Sequence, residues 1–221
     1  MAYVDFLTTV HTSTKRDYLS RVTAHDKAQC AEIAGRFDKD YWDGERHLGY
    51  GGYRYDGRWR KVADAMIAHY GLKPGCRILD VGCGKSFLLY DFTQALPGCE
   101  VVGLDVSPYA LENAKEEVRP FLELGCASDL SRYADQSFDF VYSINALHNL
   151  ELQKLWPALQ EIERVGKAHK HITVEGYRTE AEKVNLMYWQ LTCRAFHTPQ
   201  EWEFLFKQTG YTGDYGLIFF E

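Results

Sequence analysis

Residues 77–105 decide the fold of this chain and read RILDVGCGKSFLLYDFTQALPGCEVVGLD. The first and last parts of this stretch are short apolar runs with the length and composition of buried strands. Between them, residues 86–95 have helical character, and a Pro-Gly pair follows that would close the helix. A strand, a helix and a second strand in this order predict a βαβ unit with parallel strands.

The same alternation of strand and helix patterns extends over residues 61–221. Further strands are predicted over residues 121–126, 138–143, 169–175 and 211–220. Further helices are predicted over residues 62–69, from Ser107 and Pro108 onwards, over 152–165 with Pro157 at the start of the regular part, and over 180–195 and 200–208. We therefore predict an α/β fold that is Rossmann-like and doubly wound, with a mostly parallel sheet and helices on both faces. Ligands of such sheets bind beyond the carboxyl ends of the strands.

The composition is that of a globular protein and argues against several classes of function. The chain has 221 residues, of which 46% are hydrophobic and 14% aromatic, so disorder is not expected. Its 25 basic and 31 acidic residues give a net charge of -6, whereas a general nucleic-acid binder needs a basic surface. The sequence therefore predicts no nucleic-acid partner, and it leaves the oligomeric state open.

Neither a membrane segment nor a secretion signal is expected from the sequence. No apolar run reaches the roughly 18 residues that a membrane-spanning helix needs. The N-terminal stretch lacks a basic region followed by an apolar one. The six cysteines form no C-x-x-C pair, and none lies near a histidine at the spacing of metal ligands. We expect no metal site and a reducing, cytoplasmic location.

The chain divides into two parts of different character. Residues 1–60 are predicted to form an N-terminal helical cap and lid, and residues 61–221 form the core of the same domain. Within the first part, residues 1–40 have polar, amphipathic helical character. Residues 41–60, here called the lid segment, read YWDGERHLGYGGYRYDGRWR.

Aromatic rings and glycine hinges in the lid segment favour a cover over the ligand cleft. A packed loop with structural duties alone is the alternative. Arg54 and Arg58 could contact a carboxylate or a phosphate, or they could be solvated. The candidate acceptor-binding residues of this segment are Tyr50, Tyr53, Arg54, Tyr55, Arg58 and Trp59.

A glycine turn and two acids mark the expected cofactor site. Gly82 and Gly84 follow the first strand and permit a tight turn with close approach of a ligand to the backbone. Asp105 ends the next strand, 25 positions after Asp80, where an acid can accept the ribose hydroxyls of an adenosine ligand. A dinucleotide loop would need a small residue in place of Phe87, and Asp80 would repel a pyrophosphate. Asp80 suits a positively charged ligand, such as the amino group and sulfonium of S-adenosylmethionine.

Four segments follow one another along the chain: ILDVGCG at 78–84, GLDVS at 103–107, ASDL at 127–130 and SFDFVYS at 137–143. Together they resemble the motifs of class I S-adenosylmethionine-dependent methyltransferases. The resemblance implies S-adenosylmethionine as cofactor, with Gly82 and Gly84 beside its methionine part. It further implies that Asp105 binds the ribose and that Asp129 binds the adenine amino group. The cofactor-binding residues that the resemblance implies are Asp80, Gly82, Cys83, Gly84, Asp105, Val106, Ser128, Asp129, Leu130 and Asn145.

Two features depart from that family. Ser86 stands where family members often have glycine. The family fold usually closes its sheet with an antiparallel hairpin, whereas only eleven residues follow Gly210, which leaves room for one strand. The N-terminal part of the chain is similar to a subgroup of small bacterial methyltransferases linked to surface-carbohydrate biosynthesis.

Two strand ends carry the candidates for chemistry. The fourth predicted strand runs into Asn145 and His148, in a loop that borders the reacting methyl group in the resembled family. His148 is a candidate general base, with packing under the lid as the alternative, and Asn145 could position the acceptor or cap the next helix. Glu175, Tyr177 and Arg178 follow the fifth strand and could bind the acceptor, or the charged ones could form a surface ion pair.

These observations predict an enzyme that transfers a methyl group from S-adenosylmethionine to an oxygen or nitrogen atom of a small molecule. A sugar-linked or acidic metabolite is the expected acceptor class. The acidic charge and the aromatic lid favour a small acceptor over a polymer, which would use an open basic groove. The alternatives are a catalytically degenerate binding subunit and an NAD-dependent oxidoreductase.

Overall fold

The short apolar segments of the chain assemble into one parallel sheet, most of which is covered on both faces. The computed structural model describes residues 1–11 and 16–221, apart from the side chain of Thr9. The strands are β1 (Arg77–Val81), β2 (Glu100–Asp105), β3 (Leu122–Leu124), β4 (Phe138–Ile144), β5 (Gly166–Glu175) and β6 (Asp214–Ile218). Their order is β3-β2-β1-β4-β5-β6, and every pairing is parallel. The predicted Rossmann-like architecture is confirmed.

Helices connect and cover these strands. In the described part of the chain they are α1 (Thr8–His11), α2 (Tyr18–Thr23), α3 (Lys27–Ala34), α4 (Lys39–Asp43), α5 (Arg60–Tyr70), α6 (Phe87–Ala95), α7 (Pro108–Glu112), α8 (Leu152–Val165), α9 (Glu180–Trp189) and α10 (Pro199–Thr209). Two short 3₁₀ turns lie at Arg119–Phe121 and Leu147–Asn149. No helix in the described ranges is long and apolar enough to cross a membrane.

Side chains that alternate along the strands fill two separate cores. Leu79 and Val141 lie on the face that packs against α8 and α10. Ile78 and Phe140 lie on the opposite face, which packs against α5 and α6. Neighbouring strand residues point to opposite faces, so a run of apolar residues is buried on both sides. The carboxyl ends of β1, β2, β4 and β5 consequently meet at one edge of the sheet.

The helix start predicted at Ser107 and Pro108 is confirmed, and α10 begins with a cap of the same kind. Ser107 caps α7, accepting a hydrogen bond from the backbone of Ala110, with Pro108 in the first turn. Thr198 caps α10 and forms a reciprocal capping box with Glu201. Each cap satisfies backbone N–H groups that have no partner inside the helix.

The predicted helix over residues 180–195 is too long, because α9 ends at Trp189. The backbone N–H groups of Arg194 and Ala195 donate to the His148 carbonyl at 2.8 and 3.0 Å. This stretch is therefore held against the turn after β4 and does not continue the helix. Pro157 lies inside α8 and does not begin its regular part, since the helix starts at Leu152.

Two predicted strands are also shorter than expected. The third covers only Leu122–Leu124. The Gly125 N–H still donates to the Asp105 carbonyl at 2.9 Å, and the chain then turns, with the Asp129 N–H donating to the Cys126 carbonyl at 3.0 Å. The last begins at Asp214 because the preceding Thr212 N–H donates to the carboxylate of Glu163 on α8.

The edge of the sheet at β6 is closed by the start of the chain. Tyr3 forms a parallel bridge with Tyr215, supported by hydrogen bonds from Val4 N to Tyr215 O at 2.8 Å and from Tyr215 N to Ala2 O at 3.0 Å. Within the described residues, β5 and β6 pair in parallel where the resembled family usually has an antiparallel hairpin. The N-terminal segment thus protects an edge that would otherwise expose unpaired backbone groups.

The N-terminal part is helical, as predicted, but consists of short helices. Asp17, Asp26 and Asp38 each cap a new helix, because their side chains accept hydrogen bonds from backbone N–H groups of the first turn. The repeated caps interrupt what otherwise reads as one amphipathic stretch. The division at residue 60 stays a prediction.

Candidate functional site

A first cavity of about 160 Å³ opens at the carboxyl ends of β1, β2 and β4. Gly82 and Gly84 form its floor in left-handed conformations, with φ of 82° and 53°. Only glycine adopts such angles without strain and leaves the backbone open to a ligand. The predicted cofactor-binding residues that line this cavity are Asp80, Gly82, Cys83, Gly84, Asp105, Val106 and Asn145.

The remaining predicted cofactor residues lie next to the cavity but do not line it. Gly125, Cys126 and Ala127 form the wall there, and the predicted residues follow them directly in sequence. Leu130 is fully buried in the core, and the exposed Asp129 accepts hydrogen bonds from Ser131. The Ser128 hydroxyl lies 3.1 Å from the Cys126 sulfur. The proposed contact of this segment with adenine stays a prediction.

Asp105 ties the end of β2 to the glycine turn. One carboxyl oxygen accepts a hydrogen bond from Gly84 N at 2.7 Å and the other from Ser107 N at 2.8 Å. Burial raises the pKa of Asp105, and these backbone hydrogen bonds oppose that effect. The carboxylate has further lone pairs available for the hydroxyls of a ligand.

Asp80 is a buried carboxyl group that lines the first cavity. Its exposed fraction is 4%. Burial raises its pKa to about 8, the neighbouring Tyr142 hydroxyl opposes this effect, and the charge of Asp105 adds to it. The Tyr142 hydroxyl beside this carboxyl is also buried. Ionising a buried carboxyl is costly, and a cationic ligand group would offset that cost.

The lid segment packs directly on the glycine turn. The ring of Trp42 is buried, and its indole N–H lies 3.0 Å from the Ser107 hydroxyl and 3.1 Å from the Phe37 carbonyl. A Cβ placed on Gly84 would lie 2.7 Å from this ring. Tyr50 stacks on Trp42, with ring centroids 5.3 Å apart and planes nearly parallel.

A second cavity of about 300 Å³ adjoins the first. The two share the side chains of Tyr41, Tyr50, Tyr53, Trp59 and Asn145. Asn145 stands at the end of β4 with a left-handed φ of 56°, and its carboxamide oxygen is buried without a partner among the described residues. Strain and an unused polar atom at one residue are typical of functional positions.

Glu175 and His148 form a buried pair, of which only Glu175 lines a cavity. Glu175 borders the second cavity, where one oxygen accepts from Gln190 and the other lies 3.4 Å from His148 Nε2 without a hydrogen bond. Burial raises the pKa of Glu175 to about 8 and lowers that of His148 to about 3, so the imidazole is neutral. His148 Nδ1 accepts from the Glu175 backbone N–H at 3.4 Å. His148 therefore lies behind Glu175, one layer away from the cavity.

The other predicted acceptor residues separate into two groups. Tyr50, Tyr53, Arg54, Arg58 and Trp59 line the second cavity. The remaining three, Tyr55, Tyr177 and Arg178, line neither cavity. Tyr55 donates to Asp91 at 2.7 Å, and Arg178 forms ion pairs with Glu182 and Glu221. For Arg178 the structure therefore shows the alternative considered above, a surface ion pair. Arg58 forms a similar pair with Asp56.

A family model described as a methyltransferase domain matches residues 72–210, well over half of the chain. The chain belongs to the class I S-adenosylmethionine-dependent methyltransferase family. Membership explains why the glycine turn, Asp105 and the strand-four motif meet around one cavity. The proposed subgroup linked to surface carbohydrates stays a prediction.

The regions that match this chain make up only part of each named relative. A demethylmenaquinone methyltransferase of Symbiobacterium thermophilum is 36% identical over 50% of this chain and 46% of its own. The 24-methylenesterol C-methyltransferase 2 of rice is 32% identical over 54% of this chain and 34% of its own. The chain thus spans half or less of these relatives. The solved YcgJ protein of Bacillus subtilis shares the fold, with a TM-score of 0.55 at 21% identity over 66% of each chain.

The residues of the first cavity fit S-adenosylmethionine. The buried carboxyl of Asp80 suits its ammonium group, and the exposed backbone of the glycine turn suits close approach by its methionine part. The unused oxygen of Asn145 offers one further acceptor. A diphosphate in this position would face the Asp80 carboxyl instead, which favours a cationic ligand over a dinucleotide.

Sequence reasoning missed several residues that shape the site. Lys85 follows the glycine turn but pairs with Asp43 of the lid segment, and Tyr41 stands in the shared wall of the two cavities. Arg21 and Arg46 line the second cavity as well. The charge of Lys85 next to a glycine turn was a signal for the first of these. For the arginines the sequence offers none, because their convergence depends on the path of the N-terminal helices.

Proposed function

We propose that this protein transfers the methyl group of S-adenosylmethionine to an oxygen or nitrogen atom of a small molecule held in the second cavity. The observation that carries this proposal is the wall that the two cavities share at Asn145, at the carboxyl end of β4. Two ligands on either side of one residue are held close together, and proximity with orientation is most of what methyl transfer needs from a protein.

In this proposal the first cavity holds the cofactor. When bound, S-adenosylmethionine supplies an electrophilic methyl group on a positively charged sulfur. Asp80 would receive its ammonium group, the glycine turn would lie along its methionine part, and Asp105 would accept its ribose hydroxyls. The segment from Ser128 to Leu130 would border the adenine ring.

Glu175 is the group best placed to take a proton from the acceptor. It is the one carboxyl group among the described residues lining the second cavity, and burial places its pKa at about 8. A base with a pKa near the working pH combines availability with driving force for proton transfer. His148 contacts Glu175 from behind and, being neutral, would position the carboxyl without reaching the acceptor.

The aromatic side chains of the shared wall would exclude water from the reacting groups. Tyr41, Tyr50, Tyr53 and Trp59 enclose the place where the cavities meet. Three of them belong to the part of the lid segment predicted to bind the acceptor. We propose that the segment covers both ligands, as a lid within the same domain as the core.

Calorimetric titration with S-adenosylhomocysteine, with NADH as the parallel control, tests the cofactor. Micromolar binding of the first ligand alone supports the proposal, and binding of NADH alone contradicts it. Incubation with S-adenosylmethionine carrying a ¹³C methyl group and small acidic or nucleotide-linked acceptors then tests the reaction. A methyl group found on carbon, as the name of the rice relative suggests for that protein, would contradict the choice of oxygen or nitrogen.

A further inference from the structure

The second cavity carries an unusual concentration of positive charge. Five arginines line it within the described residues, against the single carboxyl of Glu175. Arg58 is already neutralised by its ion pair with Asp56. Burial keeps Glu175 largely protonated near neutral pH, since its pKa is about 8. The cavity is therefore strongly cationic, although the chain as a whole has a net charge of -6.

Two of these arginines, Arg21 on α2 and Arg46 in the lid segment, converge on one aromatic ring. Their guanidinium groups lie 5.3 and 5.2 Å from the centroid of the Trp189 ring. Arg16 lies 5.4 Å from the same ring. Stacking on an indole holds a guanidinium in place and leaves its N–H edge available for a planar anion.

The hydrogen bonds of Arg21 and Arg46 hold them in position without neutralising them. Arg21 donates to the carbonyls of Trp189 and Arg46, and Arg46 donates to the carbonyl of Gly49. Neither forms a salt bridge with a carboxylate in residues 1–11 and 16–221. Burial, followed by the charge of Arg46, lowers the pKa of Arg21. The Lys27 ammonium donates to the Tyr188 and Gln190 carbonyls, and burial, followed by the charge of Arg21, lowers its pKa to about 8.

We propose that Arg21 and Arg46, set on the face of Trp189, form an anion-binding subsite for a carboxylate or phosphate group of the methyl acceptor. This inference rests on the proposed function and narrows its substrate class to anionic small molecules. Like charges gathered beside a cavity without a counter-ion repel each other, and a bound anion removes that repulsion. Paired guanidinium forks also match the oxygens of a carboxylate or phosphate.

The test is a titration of the purified protein with inorganic phosphate and, separately, with acetate at constant ionic strength, in the presence and absence of S-adenosylhomocysteine. We expect saturable binding of at least one of the two anions to wild type. Arg21→Met and Arg46→Met should each weaken it about tenfold or more, the size of one lost charge-assisted hydrogen bond. The matched control is Arg58→Met. It also removes one positive charge from the wall of this cavity, but that charge is already paired with Asp56. It should leave anion binding unchanged.

Three outcomes would overturn the inference. The first is no saturable binding of either anion. The second is an equal loss in the Arg58→Met control. The third is that Arg46→Met weakens the binding of S-adenosylhomocysteine but not that of 5′-methylthioadenosine, which lacks the amino-acid part. That result would mean that the arginines hold the carboxylate of the cofactor itself. If wild type binds phosphate but not S-adenosylhomocysteine, the anion site stands and the proposed function fails.

Discussion

The ammonium of Lys85 lies 2.8 and 2.6 Å from the two carboxyl oxygens of Asp43, so a partly buried ion pair joins the glycine turn to the lid segment. Lys85 also donates to the Tyr53 carbonyl at 2.9 Å, and Tyr109 donates to Asp43 at 2.8 Å. The Lys85 side chain is 5% exposed and that of Asp43 24%. The floor of the first cavity and the cover above it are therefore one connected unit.

Removing the charge of Asp43 and removing that of Lys85 should lower the free energy of unfolding by different amounts. Asp43→Asn leaves the Lys85 charge buried and should lower the free energy of unfolding by about 3–5 kcal/mol. Lys85→Met should cost less, because Asp43 is more exposed and can be hydrated. Urea denaturation of both variants measures the difference. Asp56→Asn, which breaks the exposed pair with Arg58, is the control and should cost at most about 1 kcal/mol. Equal costs for the two lid-pair variants would contradict this account.

The contact between Gly84 and Trp42 should make the glycine turn intolerant of a side chain. Gly84→Ala places a methyl group 2.7 Å from the Trp42 ring at a φ of 53°, so we expect a loss of about 1–3 kcal/mol and weaker binding of S-adenosylhomocysteine. Gly75→Ala is the matched control, because its φ is also positive, at 82°, but nothing lies within 4 Å of the added methyl. In a Trp42→Ala background the extra cost of Gly84→Ala should shrink to that of Gly75→Ala. An unchanged cost would mean that backbone strain alone explains it.

The Asp80 carboxyl should lower the free energy of unfolding of the unliganded protein at alkaline pH and strengthen ligand binding. Its folded pKa of about 8 lies above the unfolded value of about 3.9, so the folded state binds the extra proton between these values. The free energy of unfolding of the unliganded protein should therefore fall as the pH rises through this window. Asp80→Asn should reduce that fall and raise the melting temperature at pH 8. It should also remove most of the stabilisation by S-adenosylhomocysteine.

Melting curves at pH 6 and pH 8, with and without S-adenosylhomocysteine, measure both effects of the Asp80 substitution. Glu175→Gln is the control, because Glu175 has a similarly raised pKa but lies in the second cavity. It should change the pH dependence and leave S-adenosylhomocysteine binding intact. If Asp80→Asn binds the ligand as tightly as wild type, the carboxyl does not hold the ammonium group.

The lining of the first cavity could be predicted from sequence because it depends largely on contiguous residues. The glycine turn and the acid after β2 are local patterns, and parallel strands bring their ends together without further information. The lining of the second cavity depends on distant parts of the chain. Arg21 and Trp189 are brought together by the packing of α2 against α9, which no spacing in the sequence reveals. His148 shows the same limit, because its place at a strand end is local whereas its burial behind Glu175 is not.

Glu175 should control the pH dependence of the reaction. A base must be deprotonated to act, so with a pKa of about 8 the rate should rise with pH and level off above that value. Glu175→Gln should lower kcat by about 10²–10⁴ and abolish the rise, measured with an acceptor found in the substrate screen. His148→Ala, which removes the neighbouring ring, should lower kcat less and keep the rise, with its midpoint shifted. If the rise is lost in His148→Ala but kept in Glu175→Gln, the base is His148, as the sequence alone suggested.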